Sequence, residues 1–404
     1  MTLVVQEGKH GERVVGYKLM DGVKSQLVAK AHVIGAARRI VVKIGSSVLS
    51  DGAGLHRRRV QQISKALSAL QGAGKQVVVV TSGAVAAGIA RLQVKRSGRT
   101  IPVKQAAAAV GQISLMALYQ ECFLHHNLKV AQILLTHDDL SNRRRYLNAK
   151  HTILALIEAG VVPIVNENDT VAVEEIQFGD NDNLSSQVAV LTEADALIMF
   201  SDVDGLYEKD PRLDGQAKLI SLVERFDARL MDLGGKPGPL GRGGMASKIE
   251  AAQKAAMFGI PTLLTNGCTV DGPMAAFDTR TEVGTLFLAT GDKIASRKHW
   301  IAYTLKPTGT VTLDAGATAA ILKDGKSLLP AGVQAVEGAF GEGDCITCLD
   351  ENGNEFARGL VNYNAADLKR IRGVQTRDIE RTLGYKISDE VIHRNDLALI
   401  QSNN

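Results

Sequence analysis

The stretch NENDTVAVEEIQFGDNDN, residues 166–183, decides how the chain is read, because six carboxylates and four asparagines crowd there between two strongly apolar segments. Ionised aspartate and glutamate only accept hydrogen bonds. Several facing one cleft therefore repel one another unless a metal, a lysine or a substrate ammonium sits between them. The flanks say where such a cleft lies. HTILALIEAG (151–160) has helical spacing and ends in glycine, VVPIVN (161–166) is a short buried strand, and LSSQVAVLTEA (184–194) is helical again. The acidic stretch thus leaves the carboxyl end of a strand, which is where open α/β sheets bind ligands. Taken alone, the stretch also reads as a solvated acidic loop.

Strand and helix alternate on both sides of it. The pattern predicts further strands at 40–49, 76–83, 129–136, 196–202 and 260–266, with helices near 57–71, 105–124 and 246–259. These strands are apolar on both faces and rich in Val and Ile. That predicts an α/β domain with a mainly parallel sheet sandwiched by helices. Beyond residue 306, short alternating segments such as GTVTLDAG, GDCITCL and GNEFARGLV are separated by Gly-rich turns and predict a small C-terminal β-rich domain. The expected division is a loosely ordered extension (1–38), the α/β domain (39–290), a linker (291–305) with the only tryptophan, Trp300, the β-rich domain (306–385) and a tail (386–404).

At 404 residues and 45% hydrophobic content, the chain is long enough for two or three domains with cores of their own. A formal net charge of +4 is too small to imply nucleic acid or an acidic surface. The longest weakly polar runs, 77–90 and 106–118, stay short of the roughly 18–20 residues a membrane span needs, so no span is expected. Cys122, Cys268, Cys345 and Cys348 are too scattered for a disulfide framework, which points to a reducing, cytoplasmic compartment. Cys345 and Cys348 form a CxxC with no second pair or nearby histidine, so structural filling is the expected role. The nine histidines show no metal spacing, and no metal ligand is assigned. Residues 1–38 hold no apolar run of signal-peptide length, while Glu7, Glu12 and Asp21 argue against a transit peptide.

Three Gly-rich strand ends suit phosphate: KIGSS from Lys43, TSGAVAAG around Ser82, and GRGGMASK at 241–248. Glycine lets backbone approach a phosphate, helix-start amides favour an anion, and lysine adds a mobile charge. None matches GxxxxGK[ST] or GxGxxG. Each alone reads as a turn, but their coincidence on one sheet with Lys43, Lys248 and the acidic stretch reads as a nucleotide site.

These stretches, with AVGQ, RRRYLNA, VVPIVNENDTVA, GDNDNLS, DVDGLY and VGTLF in the same order, resemble the amino acid kinase family, in the branch that phosphorylates glutamate. The C-terminal segment resembles a PUA domain. The resemblance implies an ATP- and Mg²⁺-dependent kinase that forms L-glutamyl 5-phosphate, the first step of proline synthesis. It implies catalytic roles for Lys43, Asp182 and Lys248. It puts Lys43, Ser201, Asp202, Arg242, Gly243, Gly244, Met245, Ala246, Ser247 and Lys248 at the nucleotide, and Ser82, Asp169, Asp180 and Asn181 at glutamate. As partners it implies L-glutamate and ATP, feedback inhibition by proline, a homo-oligomer, and transient contact with the next enzyme of the pathway. Where many relatives carry Thr-Asp and Thr-Gly-Gly-Met, this chain has Ser201-Asp202 and Arg242-Gly243-Gly244-Met245.

The chemistry agrees. A side-chain carboxylate with a pKa near about 4.3 is already ionised at pH 7, so its attack on a γ-phosphoryl group needs no general base. It needs cancelled charge, which lysines and Mg²⁺ supply. Lys43 and Lys248 fit that task, and Asp182 can orient both ammonium groups. Rival readings are a kinase for aspartate or an acylated glutamate, and an RNA-binding protein acting through the PUA-like domain. Charge argues against the last: residues 306–384 carry nine Lys and Arg against eleven Asp and Glu.

Overall fold

The computed structural model describes residues 4–7, 13–16, 26–50, 54–93, 100–171, 181–234, 244–289, 298, 301–302 and 305–400. A short antiparallel hairpin, β1 (Val4–Glu7) and β2 (Arg13–Gly16), comes first. One sheet then forms from β3 (Arg39–Ile44), β4 (Gln76–Thr81), β5 (Val130–Leu135), β6 (Val162–Glu167), β7 (Ala196–Ser201), β8 (Leu222–Val223), β9 (Thr262–Asn266) and β10 (Thr285–Phe287). Their order across the sheet is β5-β6-β4-β3-β7-β9-β10-β8. From β5 to β9 all neighbours are parallel, and β10 runs antiparallel to β9. This is the helix-covered, mainly parallel sheet that the sequence predicts.

Side chains alternate between the two faces of a strand. From β3, Ile40, Val42 and Ile44 enter one core with Leu67, Leu115 and Phe123 of helices Arg57–Gly72 and Ile101–Leu124. Val41 enters the other core with Val188 and Ile249, from helices Asn181–Leu191 and Met245–Met257. Lys43 shares the parity of Val41. Its side chain therefore leaves the sheet on the face that carries those two helices.

Three sequence expectations are corrected. The strand expected over 40–49 stops at Ile44; Gly45 donates its N–H to Phe200 O at 3.1 Å, and Ser46–Leu49 forms a helical turn. A short apolar run does not by itself distinguish a strand from a buried turn. The extension is not loose as far as residue 38. Gln26–Lys30 is helical and runs into a π-helical turn at Ala31–Gly35. Gln26 Nε2 lies 2.9 Å from the carbonyls of Ser221, Val283 and Gly284, and Lys30 Nζ lies 2.7–2.9 Å from those of Ala275, Asp278 and Thr281. Both side chains are buried. Burial pulls the Lys30 pKa down to about 8, against the raising field of Asp278. Finally, the tail supplies a strand, Leu397–Leu399, to the second domain.

That domain holds β11 (Gly309–Leu313), β12 (Val333–Gly338), β13 (Cys345–Leu349), β14 (Glu355–Leu360) and β15 (Leu397–Leu399), ordered β12-β11-β13-β14-β15. Helices Ala315–Asp324 and Ala365–Ile371 accompany them, more helix than the β-rich reading expected. Cys345 and Cys348 fall on opposite faces of β13. Cys348 enters the main core with Val311 and Leu368, while Cys345 packs with Ile301, Ala302 and Ala398. The linker's Ile301 and Ala302 thus belong with this domain, whereas Trp300 lies outside the described residues.

Helix Ile101–Leu124 is long and apolar enough to cross a membrane by length and composition. Its buried residues, Leu115, Leu118, Tyr119 and Phe123 among them, pack into the sheet's core. It also meets helix Ala84–Leu92 backbone to backbone: a Cβ on Gly88 would lie 1.7 Å from Ala107 O, and one on Gly111 would lie 1.8 Å from Ala84 O. Gly88→Ala should therefore cost about 1–3 kcal/mol or more, as overpacking does. A urea midpoint equal to that of the wild type would contradict this close contact.

Candidate active site

Three elements converge on one carboxylate. Asp182 stands in the first turn of helix Asn181–Leu191, where the helix dipole favours a negative charge. Lys43 Nζ lies 2.5 Å from Asp182 Oδ1, and Lys248 Nζ lies 3.3 Å from Oδ2. Ser247 Oγ donates to Oδ2 at 2.7 Å and sits 2.8 Å from the Gly244 carbonyl. Asp182 is 2% exposed, Lys43 5% and Lys248 6%, so the three charges interact with little screening by water.

Burial alone would raise the Asp182 pKa. The fields of Lys43 and then Lys248, with hydrogen bonds from Lys43 and Ser247, reverse that and hold it far below the usual carboxylate range. Because the folded pKa is depressed, this group's stabilisation is complete above an ordinary carboxylate pKa of about 4 and is lost only as pH falls through the lower folded value. Burial lowers the pKa of Lys248 below its ordinary 10.5, opposed by the Asp182 charge and reinforced by Lys43, while Asp202 raises it. Two ammonium groups and one carboxylate leave the cluster with one excess positive charge, a place for an anion.

A second group of side chains adjoins the first through Asn181. Its Nδ2 lies 2.9 Å from Thr81 O, 2.9 Å from Ser82 Oγ and 3.2 Å from Asn166 Oδ1. Asn166 Nδ2 donates to Gln112 Oε1 at 2.9 Å, and Thr81 Oγ1 pairs with Tyr119 OH at 2.9 Å. Ser82 precedes Gly83, whose φ of +99° suits glycine and opens helix Ala84–Leu92. At the end of β7, Ser201 Oγ lies 3.2 Å from Asp202 Oδ1. The turn after it is braced by Asp204, which accepts from Asn266 Nδ2 at 2.8 Å and Tyr207 OH at 3.0 Å.

The structure brings together Lys43, Asp182, Ser247 and Lys248, and separately Ser82 and Asn181. Gly244, Met245 and Ala246 begin the helix that carries Lys248. Asp169 lies in the turn after β6, with a partner of its own. Asp180, Arg242 and Gly243 lie outside the described residues. Sequence reasoning assigned no role to Gln112, Asn166 or Tyr119. The signal for Gln112 was a lone amide inside the apolar run AAAAVGQISLMAL.

The profile of the amino acid kinase family matches residues 38–266, more than half of the chain, and that of the PUA domain matches residues 309–383. A glutamate 5-kinase from Geobacter sulfurreducens is 47% identical over 373 residues, covering 92% of this chain and all of that protein. Glutamate 5-kinases from Syntrophus aciditrophicus and Meiothermus ruber are 46% and 48% identical, each over 92% of this chain and 97% of theirs. The chain belongs to the glutamate 5-kinase family. In a kinase, the excess positive charge beside Asp182 has a natural counterpart in the transferring phosphoryl group.

On the catalytic roles that the resemblance implies, Lys43→Ala and Lys248→Ala should each lower kcat at least about a hundredfold. The fold should persist, because the other lysine still pairs with Asp182. Arginine should rescue neither, being planar and larger than an ammonium. The alkaline limb of kcat/KM for the nucleotide should set in below pH 10.5, because burial lowers Lys248. Near-normal turnover in either alanine variant removes that lysine from the mechanism.

Proposed function

We propose that the chain transfers the γ-phosphoryl group of ATP to the side-chain carboxylate of L-glutamate, yielding L-glutamyl 5-phosphate and ADP, the first step of proline biosynthesis. The observation that carries this reading is the buried Lys43–Asp182–Lys248 cluster directly beside the Asn181 amide network. A substrate carboxylate oxygen forms the bond to Pγ, and the bond from Pγ to the bridging oxygen breaks towards ADP. Both reactants are anions. The two lysines offset their repulsion, while Asp182 holds the ammonium groups in place without binding phosphate itself.

The donor set suits Mg²⁺ that arrives on the nucleotide. Among the described residues no group of three His, Cys, Asp or Glu gathers, and Asp202 is an exposed carboxylate close enough to act on Lys248. Mg²⁺ is usually held by one or two carboxylates together with substrate phosphates. When bound, it supplies positive charge to the phosphate oxygens. A cytoplasmic homo-oligomer, inhibited by proline and passing its labile acyl phosphate to the next enzyme, fits the same reading.

Hydroxylamine traps acyl phosphates, so a panel of amino acids scored for hydroxamate tests the substrate. Glutamate should dominate; a preference for aspartate or an acylated glutamate would replace it. Asp182→Asn should mainly lower kcat, and Asp169→Ala should mainly raise KM for glutamate, because uniform binding appears in KM. An unchanged glutamate KM in the Asp169 variant contradicts that placement.

The PUA-like domain is expected not to bind RNA with useful affinity. Three of its aromatic side chains serve the core, Phe340 and Tyr363 being buried and Phe356 packing against the same cluster, while the exposed Tyr385 donates to Asp367. Arg370, Arg377 and Arg381 each lie near Asp367 or Asp378. Sub-micromolar, salt-sensitive RNA binding by the full chain, lost on charge reversal at Lys369, Arg370 and Arg372, would sink this expectation.

A further inference from the structure

We propose that Gln26 is a positioning residue for the nucleotide half of the site, acting through Thr285 on the turn 202–206 that follows β7. The inference rests on the reading above, in which Ser201 and Asp202 flank the nucleotide. Gln26 precedes the stretch that the amino acid kinase profile matches, which begins at residue 38, so none of the roles implied by the family reaches it.

The first link is the buried Gln26 amide. Its Nε2 lies 2.9 Å from the carbonyls of Ser221, Val283 and Gly284, and its Oε1 accepts from Val283 N at 3.1 Å. A flipped amide would set its oxygen against three carbonyls, so the orientation is fixed. Strands β8 and β10 pair with each other over only two residues. Ser221 stands just before β8, and Val283 and Gly284 just before β10, so one side chain ties the starts of both strands together. Lys30, four residues on and on the same face of its helix, donates to the carbonyls of Ala275, Asp278 and Thr281. The connection between β9 and β10 is thus held along its length. Gly284, at a φ of +69°, leaves no slack at its end: a Cβ there would lie 2.1 Å from Leu264 O of β9.

The second link is Thr285, the next residue, which is fully buried. Its hydroxyl donates to Ile220 O at 2.7 Å and accepts from Leu206 N at 2.7 Å, while Ile220 N donates to Leu206 O at 2.8 Å. A Cβ on Gly205 would lie 2.6 Å from Thr285 Oγ1, so the end of the turn 202–206 is pressed directly on β10. The other end of that turn carries Asp202, whose charge acts on Lys248. A displacement of β10 therefore moves the turn that places Asp202. The residues assigned to glutamate lie farther off. Ser82 and Asp169 follow β4 and β6, and β3, β7 and β9 separate both strands from β10. Loosening Gln26 should accordingly be felt by the nucleotide and not by the acceptor.

Gln26→Met keeps the length of the side chain and removes all of its hydrogen bonds. Initial rates of the full chain are measured over a grid of ATP and glutamate concentrations, beside the urea midpoint. KM for ATP should rise about tenfold, the scale on which misplaced binding groups act, while KM for glutamate stays within about twofold. Thr285→Val cuts the second link and should give the same split. The double variant should bind ATP no worse than the weaker single one, because both residues lie on one path. A Gln26 that merely stabilises the fold would lower the urea midpoint and leave both KM values of the folded enzyme unchanged. That result, equal rises in the two KM values, or additive effects in the double variant would overturn the proposal. Lys30→Met releases the same connection from its other end and serves if the Gln26 variant does not fold; absence of the split there is equally adverse. Wild-type enzyme that is silent on ATP and glutamate overturns the functional reading and this inference together, and it is recognised before any variant is made.

Discussion

A carboxylate buried between two ammonium groups constrains everything around it. Desolvating Asp182, Lys43 and Lys248 is tolerable only while each stays within bonding distance of an opposite charge. Strand β3 and helices Asn181–Leu191 and Met245–Met257 must therefore hold their relative positions closely. Their apolar residues, Val41, Val188 and Ile249, pack in one core directly behind the charges. Packing and ion pairing thus specify the same arrangement. One Asp cannot neutralise two Lys, however, and the remaining positive charge is what makes a structural cluster chemically useful.

Beside this charged centre lies a neutral one. Gln112, Asn166 and Asn181 exchange amide hydrogen bonds, and Tyr119 meets Thr81 below them. Buried amides interact without the long reach of charges, so they can distinguish ligand shapes without disturbing the nearby lysines. The two centres meet at consecutive residues, Asn181 and Asp182. One helical turn thereby fixes the distance between the end of a substrate that reacts and the end that is recognised.

Most of the sheet could be read from sequence because its central strands are fully buried, and buried parallel strands appear as unbroken Val and Ile runs. The two- and three-residue strands β8 and β10 carry too short a pattern to register. Gln26 and Lys30 were passed over for a different reason. Polar residues in an unpatterned segment suggest solvent, and only the tertiary structure reveals the backbone carbonyls that receive them. Lys43, Asp182 and Lys248 were legible because Gly-rich strand ends and an acidic cluster mark phosphate chemistry. Lys248 stands at the start of its helix, where the dipole disfavours a positive charge, and Asp182 supplies the anion that offsets it. Gln112 escaped because a single amide in an apolar helix has no spacing to match.

The anchoring of the first helix bears on how the chain assembles during synthesis. Gln26 bonds to residues 195 to 258 positions later in the sequence, and Lys30 to residues 245 to 251 positions later. Contacts so distant cannot form until the corresponding segments have left the ribosome, and closing such loops carries an entropic cost. Through most of translation the earliest segment stays undocked, and its lysine and glutamine remain hydrated. It seats only when β10 has taken its place between β9 and β8. Helix Gln26–Lys30 is then among the last parts of the domain to reach its place.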